Sequence, residues 1–229
     1  MKAHDEIRRL LLIGLIVSVI TVVLGELPIG YVTYPQIEGD VTGLLGMTAG
    51  SAELSYAQMA CGALFGGVCI PMQYFGFEGA ARAVALAGNR KSGKVIHWGA
   101  LATAFWGGIV HVVCVALMFL CRAAGASAAA PMPQAVVDFS LYLVVPVSVV
   151  FMPVYYAMCA ALLLAIARGK TMYPRWAAAF NPLTGSFLMN ALPLIAPNTL
   201  LINALGMANM GVGSVLTFGA LLALTPGKE

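Results

Sequence analysis

The sequence predicts an all-α integral membrane bundle of six transmembrane helices, with both termini cytoplasmic. Three observations predict it. Of 229 residues, 61% are hydrophobic and only 9% are charged, whereas a soluble domain carries about a quarter charged residues. The apolar residues gather in six runs, most of them near or beyond the ~18 residues of a membrane helix. The basic residues fall, with one exception, on alternate connecting segments. Lipid offers an open strand edge no hydrogen-bond partner, so the runs are helices.

The spans run approximately over 9–24, 56–80, 96–120, 141–167, 176–195 and 200–224, forming one transmembrane domain over 1–229. The first, within "MKAHDEIRRLLLIGLIVSVITVVLGELPIG", has the basic start and apolar core of a secretory signal. No small-x-small cleavage site follows, and the core runs into Glu26 and Pro28, so a retained span is expected. Lys2, Arg8 and Arg9 precede it. Arg82, Arg90, Lys91 and Lys94 lie between the second and third spans. Arg168, Lys170 and Arg175 lie between the fourth and fifth, and Lys228 follows the sixth. Only Arg122 falls on the other side. The positive-inside rule therefore places both termini in the cytoplasm. The formal charge of +3 is a topology signal, and no nucleic-acid partner is implied.

The outer segments differ from the inner ones. Residues 27–53 contain Glu38, Asp40 and Glu53 but no Lys or Arg, and "GDVTGLLGMTAGSAELSY" reads as a short interfacial helix or a lid. "GASAAAPMPQAVVD" is a small-residue linker, and "APNTL" makes the last two spans a tight hairpin. Pro71, Pro146 and Pro153 each remove a backbone donor and bend their helices. Gly62 and Gly66 form a GxxxG, and Gly206, Gly211 and Gly213 lie on the last span. Close helix packing is the default reading of both, with a homo-oligomer as the alternative.

Some signals are decoys. "GNRKSGKV" nearly matches a phosphate-binding loop, but Val95 stands where a magnesium-binding hydroxyl is needed and no strand precedes it. Cys61, Cys69, Cys114, Cys121 and Cys159 are odd in number and form no CxxC, so they read as small apolar side chains rather than disulfide or metal ligands. No cofactor is implied.

Polar residues inside the spans carry the functional signal. At about 1.5 Å rise per residue, His111 lies roughly 20 Å above Trp98, past the middle of a core ~30 Å thick. The same count on other helices brings Asn190, Asn209 and one of Tyr155 and Tyr156 to that level. Trp106 is deep enough to line a cavity. His111, Tyr155, Tyr156, Asn190, Asn209 and Trp106 are therefore the candidate ligand-binding residues. Asn and His in spans serve equally as interhelical hydrogen-bond glue worth ~1 kcal/mol each, and both readings stand at this point. Among the acidic residues, Glu26, Glu53 and Asp138 count to the outer interface. Asp138 reaches His111 only if its helix bends. Glu78 has Arg82 at i+4, the favourable spacing for a structural ion pair. Tyr142, Tyr173, Trp98 and Trp176 read as interfacial anchors.

The stretch "RGKTMYPRWAAAFNPL", with "GELPIGY" after the first span and "QYFGFEGAARAVA" at the second-span exit, resembles an uncharacterised family of small bacterial polytopic membrane proteins. That family has an aspartate where this chain has Glu26. The resemblance implies a multi-pass protein of the bacterial cytoplasmic membrane and supplies no activity. Three functions remain. The first is binding or transport of a small apolar molecule or lipid in an outward-facing interhelical pocket. The second is a membrane sensor or assembly subunit whose polar layer only sets packing. The third is a small intramembrane lipid-modifying enzyme using His111 as acid or base. No nucleophile elbow, HExxH or paired carboxylates support the enzyme, and catalytic residues are not assigned. Membrane lipids are the expected partners.

Overall fold

The computed structural model describes residues 2–35, 38, 44–196 and 198–227, and most of these are helical with no strand among them. Asp40 and Lys228 lie outside the described residues. Eight helical elements follow in order. They are α1 (Lys2–Gly30), α2 (Leu44–Ser51), α3 (Tyr56–Leu86), α4 (Arg90–Ala123), α5 (Gln134–Ala167), α6 (Pro182–Ile195), α7 (Leu200–Met207) and α8 (Asn209–Leu224). Among the described residues four helices, α1, α3, α4 and α5, are long and apolar enough to cross a membrane. The bent pair α7–α8 makes a fifth if counted as one span.

Two expected spans are corrected. The fifth does not start at 176: Arg175–Phe180 is a 3-10 turn, and α6 starts at Pro182. Residues before a proline avoid the helical region. Asn181 accordingly is extended, and its Oδ1 accepts from the Leu183 amide at 3.0 Å as an N-cap. Its Nδ2 donates to the Cys159 carbonyl at 3.1 Å, tying α6 to α5. The sixth span is broken at Ala208, where α7 and α8 diverge by 68°. The residues of "GMANMG" form the corner, and Asn209 Nδ2 donates to Gly206 O at 2.7 Å across it.

Three long helices contain a π-helical turn: Thr21–Glu26 in α1, Gly62–Gly66 in α3 and Ser140–Val144 in α5. A π turn inserts one extra residue, re-aims the side chains around it and is frequent at functional sites. The π turns of α1 and α3 pack on one another, with Gly25 against Gly66: a Cβ added to Gly25 would lie 3.0 Å from the Gly66 amide. The GxxxG face is thus used inside the chain.

One end of the bundle is closed by polar ties. Arg8 donates to the Thr225 carbonyl at 2.6 Å, and the Tyr173 hydroxyl pairs with Thr225 Oγ1 at 3.1 Å. Burial pushes the Tyr173 hydroxyl up to about 12, so it stays a neutral partner. Nearby, Glu78 accepts from Arg82 at 2.7 Å and faces His97 Nδ1 at 2.6 Å, and Arg82 also pairs with Glu6. The i+4 pair read from sequence belongs to this larger network. At the other end Arg122, the exception to the charge pattern, donates to the carbonyls of Ala52 and Leu54 at 3.1 and 2.8 Å. It also lies 5.0 Å over the Tyr56 ring. Its position follows from loop anchoring. Asn203 similarly donates to Val32 O at 2.8 Å, holding α7 on the end of α1.

The apolar core divides into two clusters. The larger centres on Phe77, Phe218, Met158 and Leu162, and the smaller on Ile29, Leu54, Met59 and Met118.

Candidate functional site

Between the two clusters lies a cavity of about 230 Å³. Four of the long helices and the α7–α8 corner build it. From α1 come Glu26, at the end of the π turn, and Ile29. From α3 comes Gln73, two residues beyond Pro71. From α4 come Thr103, His111 and Met118, all on one face. From α5 come Phe151 and Tyr155, and from the corner Met207, Asn209 and Met210.

His111 answers to two neighbours. Its Nε2 lies 3.0 Å from the Gly62 carbonyl in the α3 π turn. A carbonyl only accepts, so Nε2 carries the proton and donates. The ring abuts Gly66, where any Cβ would overlap it. His111 is therefore interhelical glue and a wall of the cavity together. The two sequence readings of this residue do not exclude one another.

The other candidates separate. Tyr155 is 3% exposed, lines the cavity and stacks on Phe151, with ring centroids 5.6 Å apart and planes 25° apart. Asn209 lines it from the corner. Tyr156 is exposed, one residue round the helix from Tyr155. Asn190 is also exposed, and its Nδ2 turns back to Ser186 O at 2.9 Å. Trp106 is half-buried, packs on the larger cluster and edges onto Phe105, outside the cavity. The predicted layer thus contracts to His111, Tyr155 and Asn209. Asp138 does not approach His111: it accepts from Gln134 at 2.8 Å on an exposed turn.

Sequence reasoning missed Glu26 and Thr103. Counting residues put Glu26 at the interface, yet the side chain is buried, 7% exposed, and enters the cavity. The Gly211 backbone amide near the start of α8 faces its carboxyl, and a Cβ at Gly211 would overlap Oε2. Ala208, at the N-cap of α8, has no side chain to accept from the first turn. The Glu26 carboxyl meets that helix N-terminus from another helix, where the exposed amides of the first turn favour an acceptor oxygen. The available signal was a carboxylate at the end of a span beside "LPIGY", with a glycine at 211 on a helix already marked as glycine-rich.

The polar lining is incompletely paired. Glu26 Oε2, Thr103 Oγ1 and Tyr155 Oη are buried with no well-formed hydrogen bond among the described residues, although the Gly211 amide faces the Glu26 carboxyl and Cys159 and Ser214 approach the Tyr155 hydroxyl. All three residues line this one cavity. Buried polar atoms are nearly always paired, and a specific exception calls for water, an ion or a ligand. Among the described residues no group of three His, Cys, Asp or Glu is placed to hold a metal. All five cysteines are free thiols.

A family model described as a family of unknown function (DUF6796) matches residues 1–226. The chain belongs to that family. Among curated proteins and solved structures nothing matches the chain. The family assignment agrees with the resemblance of the Y-P-R-W…N-P stretch and brings no activity with it. The chemistry of the cavity is accordingly the basis for function.

Proposed function

We propose that this chain is a six-crossing membrane protein that binds, and in that capacity transports or senses, a small and largely apolar molecule in the cavity beside His111. The single observation that carries the reading is the coincidence of three buried polar atoms lacking well-formed hydrogen bonds with one largely apolar cavity at a broken helix. Binding pockets are mostly apolar with a few placed polar groups. Broken helices in membranes occur where the backbone lines a cavity, as in transporters whose sites form at half-helix ends.

Six crossings are favoured by where the last helices begin and end. α6 starts beside Cys159, and α8 ends beside Arg8, while α7 packs on the far end of α1. The 14 residues of α6 rise about 21 Å, so α6 with the corner reaches across. Both termini then share the side rich in Lys and Arg, the cytoplasmic one. An impermeant maleimide tests this in a cysteine-free background: Ala128→Cys is labelled from outside and Ala3→Cys is not.

Occupancy is tested with a photoactivatable diazirine analogue of 1-hexanol. Saturable labelling of Met118, Met207 or Met210, blocked by excess 1-hexanol and lost in Cys114→Trp, is expected. Labelling that is unsaturable, or unchanged by the bulky side chain, contradicts a pocket. The enzyme reading is not favoured, because the His111 nitrogen that is placed by a partner is bonded to backbone.

A further inference from the structure

The lining of the cavity also selects the chemical class of its occupant. We infer that the site takes a small lipophilic amine, with its ammonium group on the Glu26 carboxylate and its apolar body toward Met118 and Met207. This rests on the pocket reading above and adds the polarity of the head group.

Several observations point the same way. Glu26 contributes the formal negative charge of the lining, and neither Lys nor Arg contributes to the lining. An anionic ligand would meet this carboxylate with no cation to offset it, and a buried unpaired charge is costly. Glu26 Oε2 and the hydroxyls of Thr103 and Tyr155 can all accept a hydrogen bond, and all three residues line the cavity into which an ammonium would donate. Tyr155 and Phe151 present a stacked aromatic pair to the same space, a surface that attracts cations. Apart from Gln73, His111, Cys114 and Asn209, the rest of the wall is methionine, aliphatic carbon and glycine, suited to an adaptable apolar body. The α8 N-terminus sits behind the carboxyl, with the Gly211 amide facing it. His111 is committed through Nε2 to Gly62 and leaves the ammonium position to Glu26.

The volume of about 230 Å³ limits the ligand to a short chain or a single ring. Long-chain lipids would enter only by part of a chain.

The test uses competition for the diazirine-hexanol label on the full-length protein in nanodiscs at neutral pH. The competitors are n-hexylamine, 1-hexanol and hexanoate, which differ only in head group. Charge-assisted hydrogen bonds predict that n-hexylamine competes about tenfold or more better than 1-hexanol. In Glu26→Gln that advantage disappears while 1-hexanol competes as before. Glu26→Asp, which keeps the charge, retains part of it. Should Glu26→Gln not fold, Gly211→Ala displaces the carboxyl from the α8 terminus and is expected to reduce the same advantage. An amine advantage that survives these substitutions comes from partition into the bilayer and overturns the inference. So does equal competition by amine and alcohol, or preference for hexanoate. In each of those outcomes the alcohol still competes and the pocket stands; absence of any saturable label removes the pocket itself.

Discussion

Glu26 and Glu78 are equally buried, each 7% exposed, and are treated in opposite ways by the fold. Glu78 accepts from Arg82 and faces His97, and through Arg82 it joins Glu6 on α1. Glu26 Oε2 has no well-formed hydrogen bond among the described residues and borders a cavity. Burial alone therefore does not say what a carboxylate does. Around Glu78 the helices meet through a filled core, with Phe77 on Phe218 edge to face at 4.9 Å. Around Glu26 the α1 and α3 π turns pack on one another, and the break at Ala208 borders the cavity. One end is built to hold together, and the middle is built to leave room.

Substitutions sharpen the contrast in order of size. Phe218→Ala, at a site with no solvent exposure, is expected to cost ~3–5 kcal/mol, as large-to-small changes in filled cores do. Chemical unfolding in mild detergent reads it. Glu78→Ala strips Arg82 and His97 of a shared acceptor, with an expected cost of about 1–3 kcal/mol, reduced because both partners are partly exposed. Gly66→Ala forces a methyl into the His111 ring. The expected loss of ~1–3 kcal/mol is accompanied by altered diazirine-hexanol labelling. His111→Leu removes the bond to Gly62, for about 1 kcal/mol, whereas His111→Gln keeps a donor and recovers part of it. Glu26→Gln comes last, at about 1 kcal/mol or less, because no ion pair is lost and the amide oxygen can still face Gly211. A loss from Glu26→Gln as large as from Glu78→Ala would erase the comparison and make Glu26 a structural group.

The sequence carried the helical class and the first four spans, because long apolar runs and the placement of Lys and Arg are properties of the chain itself. Glu78 and Arg82 were legible for the same reason, being one helical turn apart. Tyr155 and His111 could be brought to one level by counting rise, since α4 and α5 are close to continuous helices. Glu26 could not. A π turn shifts the direction of every side chain after it, and no pattern in "TVVLGE" announces one. Asn190 failed for a related reason: depth was countable, but facing was not, because α6 begins at Pro182 rather than at Trp176 and turns Asn190 outward. The corner at Ala208 is set by packing of α7 on α1 through Asn203 and Val32, a contact 171 residues apart.

The most direct measurement is an experimental structure of the purified protein in lipid nanodiscs, inspected between Glu26, Thr103 and Tyr155. The account predicts non-protein density there, within hydrogen-bond distance of the Glu26 carboxyl and beside the His111 ring. A dry, collapsed cavity in which Glu26 is paired with protein groups would contradict it.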